Sequence, residues 1–85
     1  MNIVITGTSR GIGLELTRQA LAKKHTVLAV ARNPDESQEL KTLKSEHGDR
    51  LQTLAVDVTN PEAPAKIQNA VKNWPQVDVL INNAG

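Results

Sequence analysis

Cysteine, tyrosine and phenylalanine are absent from this 85-residue chain, and tryptophan and methionine occur once each. Without cysteine there is neither a disulfide framework nor a thiolate metal site, which fits a reducing compartment. A single aromatic residue, Trp74, supplies no stacking platform for nucleic-acid bases. Charge of one sign is lacking too: 10 basic and 9 acidic residues leave a net +1, so neither nucleic acid nor an anionic membrane has an electrostatic claim on the chain. No apolar run is long enough to span a bilayer and no charged leader precedes the first strand, so a cytoplasmic chain is the expectation. A chain of this length buries only a little over ~60% of its unfolded surface, which predicts one small domain of modest stability.

What is present is an alternation of two sequence periods, with no internal repeat, low-complexity tract or linker. Residues 2–6 (NIVIT) and 26–31 (TVLAVA) are apolar and rich in β-branched side chains, 51–56 (LQTLAV) partly so, and 77–81 (VDVLI) again. They read as strands buried on both faces. Between the first two, Ile12, Leu16 and Ala20 fall four apart beside Leu14 and Leu21, with Glu15, Arg18 and Gln19 on the other side of the predicted helix. Lys23, Lys24 and His25 collect at its end, where cations suit the carbonyl pole.

A second helix is announced by Asn33 as a cap, Pro34 at the first helical position and Asp35 and Glu36 in the first turn, with Gly48 as the stop. Only Leu40 and Leu43 look inward, which predicts an outer position. The third helix carries Ile67, Ala70, Val71 and Trp74 as one buried stripe and halts before Pro75. Asn60 and Pro61 form one candidate start. Pro64, lacking the N–H that would bond back to residue 60, argues for a start nearer to 64.

The resulting β-α-β-α-β-α-β pattern predicts an α/β fold. It is a partial, Rossmann-type doubly wound parallel sheet with right-handed crossovers, three helices and strand order 3-2-1-4. One such partial domain occupies residues 1–85 and ends just after strand 4. Its switch point lies between strands 1 and 4, and a ligand binds such a sheet there, outside the carboxyl ends of the strands.

The stretch ITGTSRGIG, residues 5–13, leaves strand 1 at that place and holds three of the five glycines. Gly7 permits a sharp exit from the strand, Gly11 lets the backbone approach a ligand, and Gly13 lets the helix pack closely on the sheet. Free N–H groups and the positive helix pole then face outward, and a pyrophosphate is the expected guest. A helix start with a convenient turn is the plainer reading of a lone glycine triplet; its position directly after strand 1 of an alternating pattern favours the phosphate. No Gly-Lys-[Ser/Thr] follows, so a P-loop is excluded.

TGTSRGIG resembles the T-G-x-x-x-G-x-G motif of the short-chain dehydrogenase/reductase family. Two further stretches agree in order and place: DVT, Asp57 to Thr59, after strand 3, and NNAG, Asn82 to Gly85, after strand 4. The three motifs together span the whole chain. The resemblance implies a dinucleotide held by Gly7, Thr8, Ser9, Arg10, Gly11, Ile12 and Gly13 of the loop, by Asp57 and Val58 at the adenine, and by Asn83, Ala84 and Gly85 beside strand 4. Without any ligand, Asp57 would suit the opening of a turn, and Asn82 and Asn83 would suit turns or bracing of the sheet. Asp78 reads as structural, and His25 and His47 as helix-end residues too far apart in the pattern for a metal site.

The end of strand 2 bears on the choice of cofactor. A carboxylate there accepts both ribose hydroxyls of NAD, whereas a 2′-phosphate favours arginine. Ala31 stands where NAD-dependent members of the family usually have Asp, and Arg32 follows it. Arg10 resembles the basic loop residue of NADP-preferring members. NADP(H) is therefore expected over NAD(H).

The family's proton chemistry uses a Tyr and a Lys four residues later, assisted by a Ser. This chain has no tyrosine, and Ser9, Ser37 and Ser45 all precede strand 3, so no catalytic residue is assigned. The resemblance implies the NADP(H)-binding portion of an oxidoreductase that moves hydride between the nicotinamide and a carbonyl or alcohol. The alternative is a non-catalytic nucleotide-binding fragment or interaction module. Strand 4 is expected to be an edge with Val79, Leu80 and Ile81 undercovered, inviting self-association or the remainder of a longer chain.

Overall fold

The computed structural model describes residues 1–83. Strands β1 (Asn2–Thr6), β2 (Thr26–Ala31), β3 (Leu51–Ala55) and β4 (Val79–Ile81) alternate with helices α1 (Gly11–Ala22), α2 (Gln38–His47) and α3 (Ala63–Ala70). All pairings are parallel and the order is β3-β2-β1-β4, as the alternating periods predict. The side-chain period of two sorts β1 and β2 between two cores. Ile3, Ile5, Val27 and Ala29 pack with Leu21 of α1 and Leu40 and Leu43 of α2. Val4, Leu28 and Val30 face the other way, toward Val56, Ala63, Ile67, Ala70, Val71 and Trp74. Helices α1 and α2 thus cover one face and α3 the other, as right-handed crossovers require.

The strands at the margins differ from the expectation of burial on both faces. Gln52, Thr53 and Ala55 of β3 are exposed because, among the described residues, no strand lies beyond it. β3 ends at Ala55, although Val56 N still donates to Ala31 O at 3.0 Å. β4 is three residues long, two shorter than the apolar run 77–81, because Asp78 is used to fasten its start. Asp78 Oδ2 accepts from Asn2 N at 2.7 Å, while Asp78 N donates to Asn2 O at 2.8 Å. This is the structural role expected for Asp78. β4 is an edge, but only Leu80 of its three residues stands bare, at 63% exposure; Val79 and Ile81 pack against the α1/α2 core.

The helices correct three details. Ile12 does not point inward in α1; it is 71% exposed, and the buried line is Gly13, Thr17 and Leu21, flanked by half-buried Leu14, Leu16 and Ala20. Gly13 sets this rotation by lying flush on the strand exit, and Thr17 is tolerated inside because its hydroxyl donates to Gly13 O at 2.8 Å. α2 is not capped by Asn33. Residues Pro34–Glu36 form a separate 3₁₀ turn, and Ser37, extended at φ −90° and ψ 109°, caps α2 by accepting from Leu40 N. Gly48, at φ 59°, stops α2 as expected. α3 begins at Ala63, close to the Pro64 alternative, while Asn60 Oδ1 closes a local turn by accepting from Glu62 N at 2.8 Å. It ends at Ala70, one turn before Trp74, which still packs against the core from the following turn.

α1 stops at a residue ill suited to the task. Lys24 has φ 66° and is the one non-glycine residue with positive φ among those described. Lys24 N donates to Leu21 O and His25 N to Ala20 O, the paired bonds of a Schellman stop that ordinarily uses glycine at this position. Lys24→Gly is expected to stabilise the chain by about 1 kcal/mol. Denaturant titration should show a higher midpoint with an unchanged slope.

Candidate functional site

The carboxyl ends of β1, β2 and β3 open into a cleft of about 1030 Å³ between the glycine loop, the segment after β2 and the turn after β3. The loop takes its shape from two left-handed glycines, Gly7 at φ 67° and Gly11 at φ 64°. A Cβ on Gly11 would meet nothing within 4 Å, so this glycine is needed for its backbone angle and leaves open space beside it. Gly13 is needed for room. A Cβ there would lie 2.0 Å from Gly7 O and 2.8 Å from Asn83 Nδ2.

Thr8 anchors the loop from below. It is fully buried and its hydroxyl donates to Val30 O at 3.2 Å. At the other margin the Thr6 hydroxyl donates to Asn82 Oδ1 and accepts from Asn83 N, both at 3.0 Å, while Asn83 Nδ2 donates to Gly7 O at 3.2 Å. The two asparagines therefore brace the ends of β1 and β4 and support the turn of Gly7. α1 then starts with no side-chain cap and no acidic residue in its first turn, so its positive pole is left uncompensated by its own residues.

Gly7, Ser9, Arg10, Gly11, Arg32, Asp57, Val58 and Asn83 all line the cleft. Thr8 and Gly13 lie beneath it and Ile12 stands exposed on α1 outside it; Ala84 and Gly85 lie outside the described residues. Among the described residues neither Arg10 nor Arg32 has an ion-pair partner, the one salt bridge being Arg18 with Glu15 on the outer side of α1. Glu36, Ser37 and Glu39 also line the cleft, a place that a helix capped at Asn33 does not give them. The signal that could have found them is Ser37 three residues before Leu40, a cap ahead of the first inward leucine.

Asp57 serves the turn and the cleft together. Its Oδ1 accepts from Thr59 N at 2.9 Å and from Thr59 Oγ1 at 2.7 Å. These bonds, with a smaller contribution from the Arg32 charge, hold its carboxyl below the ordinary 3.8. A depressed carboxyl contributes stability in full above its unfolded value, and the contribution is lost as pH falls through the folded value. Thr59→Val removes the hydroxyl donor and should raise the Asp57 titration midpoint toward 3.8, as followed by side-chain carbonyl NMR. An unmoved midpoint would mean that the hydroxyl does not reach the carboxylate.

Comparison with known proteins agrees with this geometry. The short chain dehydrogenase family profile matches residues 1–85. The chain belongs to this family. "Probable NADP-dependent dehydrogenase in aabA 3'region" of Dichelobacter nodosus is 36% identical over 86 residues, covering 100% of this chain and 78% of that protein. The NADP-dependent 3-hydroxy acid dehydrogenase YdfG of Escherichia coli K12 is 35% identical over 86 residues, covering 100% of this chain and 34% of that one. A carbonyl reductase from Pseudomonas aeruginosa PAO1, solved in complex with NADP, superposes with a TM-score of 0.94 at 38% identity, over 99% of this chain and 38% of that one. This short-chain dehydrogenase sequence thus spans about a third of the length of the latter two relatives. Among the described residues no helix is long and apolar enough to cross a membrane.

Proposed function

We propose that this chain is the NADP(H)-binding portion of a short-chain dehydrogenase acting on a carbonyl or alcohol. The observation that carries the reading is the meeting of Arg10 and Arg32 in one cleft, each without an ion-pair partner among the described residues, at the end of a β2 that closes on Ala31 rather than a carboxylate. The donors fit the group. The uncapped α1 terminus and the open space at Gly11 suit the pyrophosphate, the two guanidinium groups suit a 2′-phosphate, and Asp57 with the Val58 backbone suits the adenine end. Several relatives and superposing structures are described by name as NADP-dependent or as bound to NADP or NADPH, which supports the same reading.

When bound, the nicotinamide supplies or accepts the hydride; this chain's residues bind and orient the cofactor. The absence of tyrosine leaves residues 1–85 without the family's proton donor. The isolated chain should therefore oxidise no NADPH above the buffer rate with a panel of small carbonyl compounds, while still binding NADPH more tightly than NADH. Turnover that survives repurification would overturn the division of labour. The open β4 edge, with Leu80 bare and in register with Val4, is read as the place where another strand pairs, from the rest of a longer polypeptide or from a second copy. Light scattering on purified residues 1–85 should show association that Leu80→Lys suppresses; a monodisperse wild-type monomer would contradict the second copy.

A further inference from the structure

Ser37 connects two parts of the cleft that are far apart in sequence. Its hydroxyl accepts from Leu40 N at 3.2 Å, capping α2, and donates to Ser9 O at 3.2 Å, across 28 positions in the chain. The side chain is buried at 7% exposure, so water competes little for either bond. Ser9 immediately precedes Arg10, whose backbone is extended at φ −163° and ψ 173° as it leads into α1. On the other side, residues 32–36 run from Arg32 through the buried Pro34 and its 3₁₀ turn directly into Ser37. One hydroxyl therefore fixes the loop that carries Arg10 to the segment that carries Arg32.

We infer that Ser37 is a positioning residue for cofactor choice: its bond to the Ser9 carbonyl holds the loop that carries Arg10 against the segment that carries Arg32, so that both arginines line one cleft where a 2′-phosphate would sit. The inference rests on the NADP(H) reading of the cleft. A hydroxyl suits the joint because it donates and accepts together, so one small group satisfies the helix terminus and the loop carbonyl. Alanine would leave both the Leu40 amide and the Ser9 carbonyl without this partner, with the loop anchored by Thr8 on one side and α1 on the other. NADH lacks the 2′-phosphate and gains nothing from Arg10 at that position. Loss of the tether should therefore fall mainly on NADPH.

The test is a set of calorimetric titrations of the 85-residue chain with NADPH and NADH, paired with backbone ¹⁵N relaxation in the absence of ligand. Ser37→Ala should lower the NADPH to NADH affinity ratio about threefold to tenfold, against the tenfold or more that a full charge-assisted contact is worth. Ser37→Thr, which keeps the hydroxyl, should restore the ratio. In an Arg10→Ala background Ser37→Ala should change the ratio no further, since the residue through which it acts is gone. Without ligand, order parameters of Ser9, Arg10 and Gly11 should fall from about 0.85 toward 0.6 in Ser37→Ala. They should fall equally in Ser37→Asp, which still accepts from Leu40 N but has no proton to donate. Unchanged order parameters in Ser37→Asp would overturn the tether whatever the chain binds. An unchanged ratio in Ser37→Ala, or an equal drop in the Arg10→Ala background, would overturn the positioning role. A wild-type chain with no NADPH preference would instead sink the cofactor reading on which the role rests.

Discussion

Gly13→Ala should abolish dinucleotide binding and destabilise the chain by about 1–3 kcal/mol. Two effects oppose each other at this position. Gly13 lies within α1, where alanine is a better helix former by roughly 0.8–1 kcal/mol. The added Cβ, however, would stand 2.0 Å from Gly7 O and 2.8 Å from Gly7 C, backbone atoms that cannot swing aside as a side-chain tip can. α1 would have to lift from the sheet or the Gly7 turn would have to open, and either movement disturbs the uncapped helix terminus that faces the cleft. Sterics should win over propensity. Gly11→Ala is the contrasting case: the space is open, but φ of 64° strains any side chain, at a cost of about 1 kcal/mol. Denaturant titration of both variants checks the order. A Gly13→Ala chain with wild-type stability and NADPH affinity would refute the close approach of α1 to β1.

The second large effect concerns Arg32. Arg32→Asp should weaken NADPH at least tenfold and strengthen NADH, reversing the order of affinity. On the proposed reading, the wild-type guanidinium would offer the 2′-phosphate a charge-assisted contact worth about 1.5–3 kcal/mol. Aspartate withdraws that contact and repels the phosphate, while offering the ribose hydroxyls of NADH an acceptor. Charge elsewhere in the cleft sharpens the effect. Asp57, Glu36 and Glu39 share its lining with Arg10 and Arg32, three acids against two bases, so Arg32→Asp deepens the formal charge of the wall from −1 to −3. Equal NADPH and NADH titration curves for wild type and variant would remove the assignment.

The parts of this site that could be read from the sequence are those where one residue type has one physical use. The glycine loop after an apolar strand placed the turn, the helix terminus and the cleft, because left-handed angles at Gly7 and Gly11 and the missing Cβ at Gly13 admit few substitutes. The strand order followed from parallel crossovers, which need no side-chain detail. Where several residues compete for one task, the local pattern does not choose between them. Asn33 and Ser37 are both good caps, and the buried Pro34 with its 3₁₀ turn moved the helix start to the second of them, bringing Glu36 and Glu39 to the cleft. Ile12 looks like a core residue by spacing. The flush contact of Gly13 nevertheless rotated α1 so that Thr17, not Ile12, lies inside. That rotation is set by the approach of Gly13 to the Gly7 carbonyl and to Asn83, which a period counted along the helix does not encode.

The cleft at the ends of β1, β2 and β3 is proposed to hold NADPH. Titration of ¹⁵N-labelled chain with NADPH, followed by amide chemical shifts, tests it directly. Saturable shifts should concentrate on Gly7, Ser9, Arg10 and Gly11, on Arg32, and on Asp57 and Val58. Val77, Asp78 and the outward face of α2 at Lys41 and Ser45 should stay still. Absence of saturable shifts, or shifts gathered away from the glycine loop, would contradict the assignment of this cleft as the cofactor site.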